Sequence, residues 1–243
     1  MATRPVFIAN PTQSKQNHSL KNLVDIQNVD FKWFAGFALL QKQKCIESLH
    51  NALKAKNANI HNVLEISSKS KDKLGVALSA FNLMMSSPQH TNKSNQADKY
   101  FSVECAFQSS KIFQTAEPAS LPVQYLDLLD KTSKEAKTDP RLKNSGAIIG
   151  FNFKGQHWDN QPLTAFYDWL YITALTAHPE YHQPLLSYDA FTDIEFNPKK
   201  SINCQAHAVA LFCALLRRGL LDKVMQSQSQ FLRIYDDTIE LTS

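Results

Sequence analysis

Glycine is scarce in this sequence, with six among 243 residues. A loop that cradles phosphates with its backbone amides needs several glycines close together, and neither G-x-G-x-x-G nor G-x-x-x-x-G-K occurs. A dinucleotide fingerprint and a P-loop are therefore excluded. Cysteine is scarce too. Cys45, Cys105, Cys204 and Cys213 form no C-x-x-C, and free buried thiols are expected rather than a disulfide framework. There is no H-E-x-x-H. His178 and His182 are four residues apart, but Pro179 between them spoils a shared helical face, so neither a metal nor another cofactor is expected. A nucleophilic serine elbow is also missing. No apolar run is long enough to span a bilayer, and Met1-Ala2-Thr3-Arg4-Pro5 is not followed by the hydrophobic segment of a signal peptide. A cytoplasmic protein with no membrane partner is the expectation.

Charge of one sign is equally modest: Lys+Arg 26 against Asp+Glu 22, a net +4. That is too balanced for a protein that coats duplex DNA in a strongly salt-dependent way, yet it permits transient contact with phosphates. What the chain does have is ordinary globular material. At 43% hydrophobic and 20% charged residues it can bury a core, so wholesale disorder is excluded. Its length lies within the reach of one core, and no repeat or linker divides it. One α+β domain, mostly helical with a few short strands, is expected over residues 1–243. It comprises an N-terminal extension at 1–77, a core at 78–220 and a C-terminal tail at 221–243.

Periodicity places the elements. Residues 6–8, 29–34, 63–66 and 148–153 read as strands, with a polar loop at 12–28. Leu39, Ile46, Leu49 and Leu53 return at helical spacing, and Ser68 to Ser70 can cap a helix through Leu74 and Leu78 before a turn at Phe81-Asn82. Residues 88–99 look like a loop of the kind that borders a site. Thr132 and Glu135 have the spacing of a capping box. Residues 163–177 form an apolar helix carrying Asp168, which reads better as a buried hydrogen-bonding acid than as a catalyst. Residues 202–218 make the clearest helix, closed by Gly219.

One polar stripe stands out. From Ser102, a good N-cap, a helix through 115 would turn Val103, Ala106 and Phe107 one way and Glu104, Gln108 and Lys111 another. Seven helical steps return to within about 20°, which puts Glu104 and Lys111 on one face about 10 Å apart, with Gln108 between them. An acid, an amide and an amine in line suit the cleavage of a glycosidic bond. The same spacing also fits a solvated face with weak charge pairing.

The company of that stripe is informative. Ser102-Val103-Glu104-Cys105-Ala106-Phe107-Gln108-Ser109-Ser110-Lys111-Ile112-Phe113 resembles the S-V-E-H-x-F-Q-A-x-K-F signature of the NADAR family. Leu78-Ser79-Ala80-Phe81-Asn82 is similar to its L-S-N-F segment, Thr132-Ser133-Lys134-Glu135-Ala136-Lys137 to its T-P-R-E-A-K/R element, and Trp158-Asp159 to its W-D. The helix from Ala165 and Leu185-Leu186 echo its apolar helix and tail. The match runs in order from about Leu78 to Gly219. In place of the family's W-G motif stands Asn197-Pro198-Lys199-Lys200-Ser201-Ile202-Asn203. The N-terminal stretch and residues 189–200 look like the antitoxin branch, associated with DarT-type DNA ADP-ribosyltransferase toxins.

The resemblance implies a NADAR-like fold and a hydrolase that removes ADP-ribose from guanine bases of DNA. Its implied partners are ADP-ribosylated DNA and a cognate ADP-ribosyltransferase toxin. Glu104, Lys111 and Asp193 are then the candidate catalytic residues. Phe81, Asn82, Gln108, Trp158, Glu195, Lys199, Lys200 and Asn203 are the candidate substrate contacts. Trp158 and Phe81 could stack on a base, Asp193 and Glu195 could aim at one side of an extended segment, and Lys199-Lys200-Ser201 could hold a diphosphate at a helix start. Two other readings stay open: a module that binds ADP-ribose or the toxin without cleaving, and an N-glycosidase acting on a riboflavin-pathway intermediate.

Overall fold

The computed structural model describes residues 1–10, 20–87, 98–114 and 121–236. Its strands are β1 (Ala2–Ala9), β2 (Val24–Phe31), β3 (Val63–Glu65), β4 (Met84–Ser87), β5 (Lys99–Ser102), β6 (Lys111–Gln114), β7 (Val123–Gln124), β8 (Ala147–Phe153), β9 (Gln156–Asp159) and β10 (Ala190–Thr192). Helices carry more of the described chain than these strands, and the fold is α+β. Two compact units emerge: Met1–Ser79 together with Tyr167–Ser243, and the contiguous stretch Ala80–Phe166.

The first unit is built on a four-stranded sheet in the order β2-β1-β10-β3. β1 and β2 pair antiparallel over eight positions, from Ala2 opposite Phe31 to Ala9 opposite Val24. β10 runs antiparallel to β1 and parallel to β3. The helix Leu39–Lys56 buries Cys45, Ile46, Leu49 and Leu53, a spacing that turns one stripe inward. That stripe meets Val6, Val29, Phe31, Ile60, Ala190 and Ile194 to make the core.

A second helix, Gln205–Arg217, is buried without a break from Ala206 to Leu215. An element apolar all round belongs inside. At its end Arg217 donates to the carbonyls of Ala9, Leu186 and Tyr188, and Arg218 to those of Asn10 and Asn22. Two guanidinium forks thus gather three distant stretches of chain. Gly219 closes the helix at φ +65°, the left-handed position that glycine adopts freely.

Several expectations need correction. That helix begins at Gln205 with Cys204 as N-cap, and Ile202 lies outside it at 59% exposure. The cap of the helix Lys73–Ala77 is Asp72, which accepts from the Leu74 amide; Ser68 to Ser70 precede it. Residues 24–28, expected in a loop, belong to β2. Six strands went unread, namely β4, β5, β6, β7, β9 and β10. Each has four residues or fewer, too few for alternation to show. The polar stretch 88–97 lies outside the described residues. The second unit begins at Ala80, and the chain returns to the first at Tyr167, inside the helix Ala165–Thr176. The stretch 221–236 carries the helices Leu221–Met225 and Gln228–Leu232 and buries Val224, Phe231 and Ile234.

Asp168 is fully buried in the first unit. Its Oδ1 lies 3.2 Å from Nδ1 of His207, and its Oδ2 accepts from the Tyr235 hydroxyl at 2.7 Å. The acid therefore ties three elements of that unit together, as its sequence context suggested. Burial opposes a charge on His207, but the charge and hydrogen bond of Asp168 together outweigh it and raise the imidazole pKa. A raised folded pKa gives stability that is complete below the unfolded value of about 6.5 and is lost as pH rises through the folded value. Asp168→Asn is expected to cost about 3 kcal/mol. Urea titrations should show the gap between wild type and variant larger at pH 6 than at pH 9; a pH-independent gap would show that His207 does not charge on folding.

Candidate active site

The second unit centres on the helix Val103–Ser110, all eight residues of which are buried. β5 runs directly into it, so its start is fixed by the β4–β5 pairing that sets Met84 opposite Ser102. Ser102 caps the helix by accepting from the Cys105 amide at 3.1 Å. The next free amides are taken by the turn before β4: Val103 donates to Leu83 O and Glu104 to Ala80 O. Ser133 Oγ lies 2.8 Å from both Ser102 Oγ and Phe81 O. A buried helix start must satisfy its orphan donors, and the carbonyls of Ala80 and Leu83 do so.

The helix stops one residue before the lysine. Ser109 and Ser110 both turn their hydroxyls back to the Ala106 carbonyl, at 3.1 and 2.6 Å, a competition with the helical ladder that favours termination. Lys111 is extended, with φ −64° and ψ 131°, and opens β6. A single helix through 115 was expected; it ends at Ser110, and Thr115 lies outside the described residues.

Even so, the three polar side chains meet. Gln108 Nε2 donates to Glu104 Oε1 at 2.7 Å, and Lys111 Nζ donates to Gln108 Oε1 at 2.7 Å. Lysine brings donors and no acceptor when charged, so it claims the amide oxygen and leaves the amide nitrogen facing the carboxylate. Glu104 is 5% exposed and Gln108 6%. A row of polar groups this deep is the opposite of a solvated helix face.

Lys111 feels its surroundings strongly. Burial drives its pKa down to about 8, the Glu104 charge pulls it back up, and Lys137 pushes it further down. Its Nζ also lies 4.7 Å from the Phe107 ring centroid, in cation–π range. Phe107 in turn stacks on Phe151 and Phe166, with centroids 5.7 and 6.2 Å away.

Lys137 was not singled out in the sequence, although it closes the Thr132-to-Lys137 element. The capping box is formed in full, with Thr132 accepting from Glu135 N and Glu135 from Thr132 N. It starts the helix Ser133–Thr138, which carries Lys137 to 3.9 Å from Glu104 Oε2 and 5.0 Å from the Phe81 ring. Phe81 is half-buried and Asn82 exposed. Trp158 is 4% exposed and sits 5.8 Å from Phe166, so its ring is part of the wall and not an open stacking platform.

The other candidates lie in the first unit. Asp193 is buried, and its Oδ1 accepts from the Glu195 and Phe196 amides. Burial first, then the charge of Glu65, raises its pKa to about 8. Glu65 was missed in the sequence, where it read only as a strand residue. It is 2% exposed and accepts from Ser67 Oγ, Thr192 Oγ1 and the Ile194 amide. Asp193 and Glu195 do not share a side: Glu195 is exposed and pairs with Lys42 at 2.9 Å. Lys199 and Lys200 are exposed on a turn in which Lys199 N donates to Asn197 Oδ1 and Lys200 N to Asn197 O. With the helix starting at Gln205, those lysines precede its N-terminus by more than a turn, which corrects the expected diphosphate seat. Asn203 is half-buried, and its carbonyl accepts from Ser201 Oγ at 3.2 Å.

Lys111 offers a direct check on this geometry. The rate of its modification by an amine-reactive reagent, followed by peptide mass spectrometry, should rise with a midpoint near pH 8. Glu104→Gln should move the midpoint down and Lys137→Ala should move it up. A wild-type midpoint above pH 10 would place the amine in bulk water.

No helix among the described residues is long and apolar enough to cross a membrane, and no group of three His, Cys, Asp or Glu among them is placed to hold a metal ion. No curated protein matches the chain at a significant level. A family model described as the DarT1-associated NADAR antitoxin matches residues 2–242. That span takes in both units, the buried Glu104–Gln108–Lys111 row and the N-terminal stretch alike, and the chain belongs to the family of DarT1-associated NADAR antitoxins.

Proposed function

We propose that the chain is a hydrolase that removes ADP-ribose from guanine bases of DNA and thereby reverses the modification made by a DarT-type toxin. The observation that carries the proposal is the hydrogen-bonded row from Glu104 through Gln108 to Lys111, withdrawn from water and set beside the Phe107 ring. A carboxyl group hydrogen-bonded through an amide to a lysine whose pKa burial lowers to about 8 is suited to proton and charge handling at neutral pH.

The reaction adds water across the bond between the anomeric carbon of the ribose and the exocyclic nitrogen of guanine. The bonding electron pair leaves with the nitrogen, which takes up a proton, and the cation left on the ribose is quenched by hydroxide from water. Glu104 faces that developing cation, stabilises it and accepts the proton of the attacking water. Gln108 receives Lys111 on its oxygen and so keeps its nitrogen on the carboxylate, which orients Glu104. Lys111 either holds a phosphate or hydroxyl as a cation or attacks C1 of the opened ribose as an amine, expelling the protonated exocyclic nitrogen of guanine and leaving a Schiff base that water hydrolyses to free the lysine. With a pKa of about 8, about a tenth of it is neutral at pH 7, so both roles have the species they need. Phe81 and Asn82, on the turn that docks the helix start, supply contacts to the substrate. Asp193 is assigned to positioning: it braces the amides of Glu195 and Phe196.

Incubation with guanine-ADP-ribosylated DNA, with free ADP-ribose as the readout, tests the proposal. Glu104→Ala and Lys111→Ala should each lower release by about 10²- to 10⁴-fold while circular dichroism stays native. Lys111→Arg separates the two lysine roles: a cation leaves turnover within about tenfold, whereas an amine nucleophile leaves none. Undiminished release by Glu104→Ala would remove the carboxylate from the mechanism.

A further inference from the structure

The segment between β2 and the helix Leu39–Lys56 takes no part in that chemistry, and its surface is unusual. Phe37 is 98% exposed, with Leu39 and Leu40 following at 52% and 62%. Single exposed apolar side chains are ordinary, but contiguous ones mark contact surfaces. The segment is firmly held. The Phe34 amide donates to Cys45 Sγ, Cys45 Sγ donates back to the Phe34 carbonyl, and the Lys32 amide donates to Ser48 Oγ. Trp33 and Phe34 lean partly on the core. Gly36 adopts φ +125°, a conformation that side chains strongly disfavour, and the residue that follows is Phe37. The backbone is thus built to present that ring.

Cations lie over the two aromatic rings that precede Phe37 in the segment. Arg4 and Lys42 each lie 5.4 Å from the Trp33 ring, and Lys32 lies 5.2 Å from that of Phe34. From Lys32 to Lys44 the sequence has three lysines and no acidic residue; Lys42 is paired with Glu195, and Asp30, just before the segment, accepts from Thr3 Oγ1. A second copy of this chain is a poor occupant, because a two-fold interface would set these cations against themselves. The occupant must bring negative charge and also a flat face for Phe37. A DNA strand with unpaired bases brings both: phosphates meet the lysines and Arg4, and a base stacks on the ring.

We propose that Arg4 and residues 32–44 form a docking surface for single-stranded DNA, with Phe37 as its base-stacking residue. This rests on the reading of a DNA substrate given above, but it is tested without turnover. A fluorescein-labelled, unmodified 16-nucleotide DNA strand is titrated with the intact protein, and anisotropy is read at several salt concentrations. Wild type should bind the strand more tightly than a blunt duplex of the same sequence. Phe37→Ala should weaken binding by about tenfold, and Lys32→Ala should lower the salt slope by about 1, both with unchanged thermal unfolding. Binding unaltered in Phe37→Ala overturns the proposal. So do a preference for the duplex, absence of binding at low salt, and Phe37-dependent association with the toxin protein in place of DNA. If release of ADP-ribose fails while Phe37-dependent strand binding holds, the proposed reaction falls and the docking surface stands; the reverse result sinks only the surface.

Discussion

A single carboxamide, that of Gln108, organises the chemistry of the second unit. It is the one group in the row able to present an acceptor to Lys111 and a donor to Glu104 at once. Removing it would sever the carboxylate from the amine and leave Glu104 only the longer pairing with Lys137 and Lys111 only the Phe107 ring. The surrounding structure is arranged to keep this amide dry and aimed. Ser102 caps the helix, the carbonyls of Ala80 and Leu83 satisfy its first amides, and the Ala106 carbonyl draws back the hydroxyls that end it. A partly satisfied polar network is worse than an apolar core, whereas a complete one specifies a unique arrangement.

The early end of the helix matters for the same reason. Had it continued, Lys111 would have sat about 10 Å along the axis from Glu104, at the end of a helical face. Extended at the head of β6, its long side chain folds back to the amide instead. The switch from helix to strand in one residue brings the amine within reach of Gln108 and loads it with a burial penalty, which the Glu104 charge partly offsets. The acid therefore tunes the amine with which it shares a neighbour.

How far this was legible in the sequence varied with the kind of signal. The long helices showed themselves through periodic apolar positions, as at Cys45, Ile46, Leu49 and Leu53, and the capping box through the fixed spacing of Thr132 and Glu135. The grouping of Glu104, Gln108 and Lys111 was readable from spacing and from the family signature together, although the route taken by Lys111 was not. Short strands such as β6 and β10 were invisible because three or four residues cannot display a period. Glu65 and Lys137 were missed for another reason. What makes each of them consequential is a neighbour distant in sequence, Asp193 for Glu65 and Glu104 for Lys137, and no local pattern encodes that.

The sheet order of the first unit carries a temporal consequence. β10 lies between β1 and β3, and the arginines that fasten the ends of β1 come at positions 217 and 218. A chain emerging from the ribosome must expose the inner edge of β1 until residues 190–192 have been made, whereas the stretch Ala80–Phe166 is continuous and complete before then. Synthesis supplies residues in order at about 5–20 per second, so for several seconds each nascent molecule holds an assembled middle between two unfinished ends. A cell relying on this protein as an antidote is protected only after that interval, and a truncation removing residue 217 onward would discard the fasteners of its first strand.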